Sequence, residues 1–239
     1  MSDALPRSFS APKVKIARAQ RHLAELETEI AAFLDTRPAR FVSRIIKEPG
    51  EQRAEFHLFT QHPPEDLGAI IGDVVHNLRS ALDLTACEMV RIAEGPSADV
   101  GNVYFPFCRR ADDLDAMIRR RDFHRAGDAA VALLRELKPY PSGNALLRAI
   151  HDLDIHDKHS ALIPTFMTVG GPIISRWDDD GTPNLSFVGD PTAPTELALV
   201  FPASVPFAGT DILKTLKSFM ELTASVVESF RTLADSVQQ

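Results

Sequence analysis

Three side chains in one stretch of the sequence are suited to phosphate or proton chemistry. His76, Arg79 and Asp83 lie three and four residues apart, so a helix would carry them on one face. Arginine can hold a phosphate group, and histidine can transfer a proton near neutral pH. This face is therefore either the wall of a site or a solvated surface. On a solvated surface an Arg79–Asp83 pair would contribute only about 0.2–0.5 kcal/mol.

A second polar stretch covers residues 151–159 and contains three histidines, three aspartates and one lysine. One interpretation is a second wall of the same site. The alternative is the end of a helix, where Lys158 and His159 interact with the helix dipole and the aspartates face solvent.

Helical spacing gives the second stretch at least one carboxylate that points inward. Asp157 continues an apolar line through Leu153, and Asp154 lies beside that line. A buried carboxylate without a partner costs several kcal/mol or loses its charge. Arg79 and His76 are the candidate partners. We expect Arg79 to lie within hydrogen-bonding reach of Asp154 or Asp157, which would bring the two polar stretches together.

Metal and cofactor chemistry finds little support in the sequence. His156 and His159, three residues apart, could bind a divalent metal with Asp152, but this spacing matches no established metal motif. The pair His151–Asp152 is similar to that of the HD metal phosphohydrolases, so a metal-dependent hydrolase stays open as an alternative. We predict no bound metal and no cofactor.

The chain is acidic, with a net charge of −7, so contact with nucleic acid would need a local basic site. Arg119, Arg120 and Arg121 form such a concentration, together with the arginines at 109, 110 and 125. These side chains either contact a phosphate backbone or line a solvated helix face.

Composition places the chain among ordinary globular proteins. Of its 239 residues, 44% are hydrophobic and 25% are charged. Cys87 and Cys108 are too few for a disulfide framework, which favours a reducing cytoplasm. No signal-peptide pattern and no apolar run of about 18 residues is present. We expect a cytoplasmic protein that neither spans nor binds a membrane.

The hydrophobic periodicity predicts one α+β domain over residues 1–239, built mainly as a helical bundle. A β-hairpin follows the first helix, and a small antiparallel sheet is inserted before the last helix. The helical core is predicted over 12–37, 64–95, 110–159 and 209–236, the hairpin over 41–60, and the small sheet over 162–201. Within the third of these helical stretches, Asn144 is expected to cap a helix.

The apolar stripes of the first and last helices predict contacts beyond the helices themselves. Both stripes alternate steps of three and four residues, as in helices packed at a shallow angle. In the last helix, Leu213, Met220 and Val227 form a second apolar line. Because such a line is usually covered, we expect a homodimer.

Four segments carry a resemblance to a known group of proteins. Residues 72–83 read G-D-V-V-H-N-L-R-S-A-L-D, and F-P-F at 105–107, L-K-P-Y at 137–140 and L-D-I-H-D-K-H at 153–159 follow. This pattern resembles a family of bacterial and phage-associated proteins that share H-N-L-R-S-A-L-D and D-K-H and have no assigned function. The resemblance extends from the first helix to the predicted sheet. More distantly, the chain is similar to the HEPN superfamily, which includes RNA-cleaving toxins and defence proteins.

The HEPN resemblance implies a metal-independent ribonuclease site with one departure. HEPN ribonucleases carry an arginine four to six residues before the histidine, often as R-N-x-x-x-H. Here Asp154 stands at the arginine position and Ile155 at the asparagine position before His159. Arg79, from the other helix, would have to fill the vacant role. His159 would then be the general acid or base, and Arg79 would stabilise the phosphorane-like charge.

Two functions of different class follow. The first is a HEPN-like protein that acts on RNA as a toxin or phage-defence protein. The second is a non-enzymatic interaction domain whose polar motifs form a buried network. In the first, the candidate catalytic residues are His159, Arg79, His76 and Asp83. The supporting polar residues are Asn77, Asp154, Asp157 and Lys158, and the candidate phosphate contacts are Arg119, Arg120 and Arg121.

Overall fold

Six α-helices make up most of the part of the chain that the computed structural model describes, which is residues 9–48, 51–158, 164–169, 173–177, 183–186 and 196–237. The helices are α1 (Ser10–Asp35), α2 (Glu65–Glu94), α3 (Leu114–Arg120), α4 (Asp128–Leu137), α5 (Ala145–Asp157) and α6 (Ile212–Val237). Short 3₁₀ turns precede α3 and α4. The predicted helical bundle is confirmed.

Local signals set the ends of these helices. Asn144 caps α5 as predicted, since its side chain accepts a hydrogen bond from the backbone N–H of Leu147 at 3.0 Å. The Asp211 carboxylate accepts from the N–H of Lys214 at 2.8 Å and so caps α6. At the far end of α2, Gly95 adopts a φ of 107°, which favours glycine and stops the helix.

Helix α2 is the centre of the bundle, because α1, α5 and α6 all pack against it. The stripes of α1 and α6 also meet each other, and Lys217 of α6 pairs with Glu27 of α1 at 2.6 Å. The buried stripe of α1 consists of Ala19, Leu23, Leu26 and Ile30. The buried stripe of α6 includes Ile212, Leu216, Phe219, Val226 and Phe230.

Aromatic rings join the bundle to the segments around α3. Phe230 of α6 is fully buried and meets Phe105 edge-on at 6.4 Å and Phe123 edge-on at 6.0 Å between ring centroids. These contacts hold residues 103–107 and the turn before α4 against α6.

The strands pair in three separate ladders. Strands β1 (Ala39–Glu48) and β2 (Glu51–Thr60) pair antiparallel, from Ala39 opposite Thr60 to Glu48 opposite Glu51. Strand β3 (Thr165–Val169) pairs with β6 (Glu196–Val200), and β4 (Ile173–Trp177) pairs with β5 (Pro183–Ser186).

The one small sheet predicted over 162–201 is therefore not shown, since the described residues form two distinct two-stranded pairs there. Residue alternation identifies a strand but carries no information on which strand edges join, so sequence reasoning merged the two pairs.

The second apolar line of α6 is covered within the chain. Val227 is buried, and Leu213 and Met220 pack against the core. The surplus apolar surface that motivated a homodimer is thus largely absent, and the homodimer stays a prediction. None of the helices in the described ranges is long and apolar enough to cross a membrane.

Truncation of Phe230 should lower the stability of the fold, because its buried ring joins α6 to Phe105 and Phe123. We expect Phe230→Ala to lower the free energy of unfolding by about 3–5 kcal/mol, measured by urea denaturation. Val14→Ala is the matched control, because Val14 of α1 is 60% exposed and should change the stability by less than about 0.5 kcal/mol. Similar small losses in both variants would contradict this packing.

Candidate functional site

The contact between α2 and α5 brings the two polar stretches together. The Nδ1 atom of His76 lies 3.0 Å from one carboxylate oxygen of Asp154, and Lys158 Nζ lies 2.5 Å from the other. Asp154 is only 4% exposed, so the prediction of an inward carboxylate is confirmed. The two partners of this buried carboxylate reach the surface, since the side chains of His76 and Lys158 are 51% and 55% exposed.

Arg79 has different partners from those expected. Its Nε donates to His151 Nδ1 at 3.2 Å, and its guanidinium group lies over the Phe107 ring, 4.7 Å from the centroid. The Phe107 ring in turn stacks on the His151 ring at 4.8 Å and 9°. The expected pairing of Arg79 with Asp154 or Asp157 was wrong. Along α5, His151 lies nearly one turn before Asp154, and that is where Arg79 meets the helix.

Asp83 fixes the segment that carries Phe107. One oxygen of Asp83 accepts a hydrogen bond from the N–H of Phe105 at 2.8 Å and also forms an ion pair with Arg79 Nη1. Asp83 thus holds both the arginine and the loop beside it.

Arg79 and His151 line a pocket of about 480 Å³ whose walls are α2, the segment 105–109, α3 and α5. Five arginines contribute to the lining, namely Arg79, Arg109, Arg120, Arg121 and Arg148. The single carboxylate in the lining belongs to Asp113, which pairs with Arg110 through two hydrogen bonds of 3.1 and 2.9 Å. The pocket is therefore strongly basic in an acidic chain.

Two of the five arginines are neutralised by carboxylates. Arg79 pairs with Asp83, and the buried Arg148 binds Asp152 through hydrogen bonds of 3.0 and 2.5 Å. Arg148 also donates to the backbone carbonyl of Cys108 at 3.0 Å, which ties α5 to the loop.

The other three, Arg109, Arg120 and Arg121, make no ion pair with a carboxylate of the described residues. The guanidinium group of Arg121 lies over the Tyr104 ring at 5.2 Å. Unpaired guanidinium groups around one concavity attract an anion with several acceptor oxygens.

His151 is a neutral imidazole in this environment. Burial lowers its pKa from 6.5 to about 4, and the charges of Arg79 and Arg148 act in the same direction. Because Nδ1 accepts from Arg79, the ring proton is assigned to Nε2. His151 is therefore a hydrogen-bond donor at neutral pH and a weak base.

The remaining predicted residues on α2 and at the end of α5 have surroundings of their own. Asp157 is half-buried above Gly72, where an added Cβ atom would come within 2.4 Å of its carboxylate. Burial, followed by the charge of Asp154, raises the pKa of Asp157. Asn77 donates to the carbonyl of Asp73 at 2.8 Å. None of these residues lines the arginine pocket, and neither does His76.

Two other predicted site residues are Arg119 and His159. Arg119 is exposed on α3 and is not part of the pocket lining, in contrast to Arg120 and Arg121. His159 lies outside the described residues. Within the residues that the structure does describe, no group of three His, Cys, Asp or Glu side chains could hold a metal ion.

Sequence reasoning missed the roles of Arg148 and Phe107 and treated His151 only as part of a cluster. A signal for the first was present, because Arg148, His151 and Asp152 are three and four residues apart on one helix face. The contribution of Arg109 and Phe107 depends on a loop that no local pattern places against α5.

Comparison of the chain with protein-family models, with curated proteins and with solved structures gave no match.

The neutral state of His151 predicts a pH-dependent stability. With a folded pKa of about 4, below the ordinary 6.5, the unfolded chain binds the proton more tightly. Stability should therefore be complete above about pH 6.5 and fall as the pH drops towards 4, by up to about 1.4 kcal/mol for each unit of pKa difference. Urea titrations of the wild type and of His151→Gln across this range measure the effect.

The His151→Gln variant should lack much of this decline. His124→Gln, a change at an exposed histidine, is the control and should keep the wild-type profile. An equal slope in His151→Gln and wild type would show that His151 is not the group responsible.

Proposed function

We propose that this chain is a HEPN-like protein that acts on RNA and holds a phosphate group of the RNA in the arginine pocket. The observation that carries the proposal is the set of five arginines around one concavity in a chain of net charge −7. Basic side chains concentrated at one place are what an acidic protein needs for contact with a polyanion.

The chemistry of the pocket suits a phosphate more than a carboxylate. Guanidinium groups from α2, α3, α5 and the loop 105–109 approach from several directions, which matches the several oxygens of a phosphate. His151 adds a neutral N–H donor. Arg79 is the residue shared between this pocket and the catalytic scheme implied by the HEPN resemblance, in which His159 is the general acid or base.

The second candidate function, a non-enzymatic interaction domain, is favoured by the His76–Asp154–Lys158 network. There the buried carboxylate of Asp154 is paired with His76 across the α2–α5 contact and with Lys158 at the end of its own helix, which is the arrangement of a structural bridge. This network lies apart from the arginine pocket, so it can serve the fold whether or not the pocket binds RNA.

Binding of RNA should depend on the arginines that line the pocket. We expect Arg120→Gln to weaken the binding of a single-stranded oligoribonucleotide by roughly tenfold, measured by fluorescence anisotropy, because one charge-assisted contact is lost. Arg119→Gln is the matched control, since it removes the same charge from the neighbouring residue outside the lining. Equal losses in both variants would indicate attraction by general charge and would contradict a pocket site.

If the protein cleaves RNA, it should do so with a chelator present and leave 2′,3′-cyclic phosphate ends. His159→Ala and Arg79→Lys should each reduce the rate by about 10²–10⁴-fold, the usual contribution of acid–base or electrostatic groups. Gel assays on transfer RNA and single-stranded RNA measure this, with thermal melts to check folding and His124→Ala as the control. Cleavage that persists in both variants, or no cleavage of any RNA, would contradict the nuclease part of the proposal.

A further inference from the structure

The charge of the arginine pocket exceeds what one internal phosphate of RNA can neutralise. Arg109, Arg120 and Arg121 line the pocket without a carboxylate partner among the described residues, while Asp113 is already paired with Arg110. An internal phosphodiester carries a single negative charge. A terminal phosphate monoester carries about −1.5 to −2 at pH 7 and three acceptor oxygens. The monoester is thus the better electrostatic match.

Apart from the arginines, Asp113 and His151, the lining is apolar, so the pocket has an apolar wall as well as a basic one. Phe105, Met117 and Ile155 contribute to the walls, and Ile155 is 42% exposed although it is a large hydrophobic residue. The volume of about 480 Å³ falls within the range of about 300–1,000 Å³ typical of small-ligand sites. A ligand that fits therefore has a compact anionic end and a less polar body.

We propose that the pocket binds a terminal nucleotide through its phosphate monoester, in preference to an internal phosphodiester. This inference rests on the proposed function for the RNA source, whereas its chemistry, a nucleoside with a terminal phosphate, is shared with a free nucleoside monophosphate. The monoester lies against Arg109, Arg120 and Arg121, and the nucleoside lies against the apolar wall.

The first experiment compares ligands that differ only at the phosphate. Five probes are titrated by calorimetry or anisotropy competition. Three are the same single-stranded oligoribonucleotide with a 5′-phosphate, with a 3′-phosphate, or with hydroxyl groups at both ends. The other two are adenosine 5′-monophosphate and inorganic phosphate. We expect the strand with a phosphate at one of its two ends, 5′ or 3′, to bind roughly tenfold more tightly, or more, than the strand with only hydroxyl ends. Inorganic phosphate should bind more weakly than the nucleotide because it leaves the apolar wall unused.

The outcomes separate this inference from the proposed function. Equal affinity for all three strands would overturn the monoester inference and leave RNA binding intact. Binding of adenosine 5′-monophosphate without binding of any strand would overturn RNA as the source and keep the monoester site. Binding of neither would overturn both.

The pH dependence gives an independent readout, because the pocket does not change its own charge near neutral pH. Burial lowers the pKa of His151 to about 4 and raises the pKa of the Cys108 thiol, and Arg110 lowers the pKa of Asp113. The second pKa of a phosphate monoester is about 6. Affinity for the monoester should thus rise between pH 5.5 and 7.5, whereas affinity for the hydroxyl strand should stay flat. A flat profile for both would overturn the inference.

Two exposed arginines test the placement without a risk to folding. Arg109→Gln and Arg120→Gln should each abolish most of the preference for the phosphorylated strand, while Arg119→Gln should keep it. A preference that survives in both pocket variants would place the phosphate elsewhere and overturn the assignment.

Discussion

The burial of one guanidinium group, that of Arg79, determines how the site is built. A charge that is taken out of water must be surrounded by acceptors and by polarisable surface, or the fold loses several kcal/mol. Asp83 supplies the opposite charge, His151 supplies an acceptor nitrogen, and Phe107 supplies a ring face. These three groups come from α2, from α5 and from the loop between α2 and α3. The requirements of one side chain thus hold three parts of the chain in a fixed relation.

The two faces of the α2–α5 contact serve different purposes. On one face, His76, Asp154 and Lys158 satisfy each other at short range. On the other, Arg148 and Arg79 are satisfied by Asp152 and Asp83, yet their neighbours Arg120 and Arg121 are not. Where the polar groups are all paired, the arrangement stabilises the helix contact. Where cations remain in excess, the arrangement has capacity for a ligand.

Much of the helical architecture could be predicted, because helix periodicity and caps are local. The stripe of α1, the Asn144 cap and the long central helix follow from residues close in sequence. Strand pairing was less accessible, since the partner of β3 is β6 and two other strands lie between them.

In the site, the inward Asp154 was predictable from spacing. His76 and Arg79 were both candidate partners of Asp154, and only His76 pairs with it. The pocket itself was not predictable, because α3 and the loop 105–109 join α5 only in three dimensions.

Helix α3 is the shortest of the described α-helices. It carries Arg120, one unpaired charge of the pocket, and a second, Arg121, directly follows its end. It has seven residues, whereas an isolated helix needs about 12–15 to be even marginally stable in water. Its order therefore depends on Leu114 and Ile118, the two residues by which it is buried. Repulsion among its arginines acts against that packing until an anion is present. Occupancy of the pocket would offset that repulsion, and slower exchange of the backbone amide hydrogens of α3 would report a bound ligand.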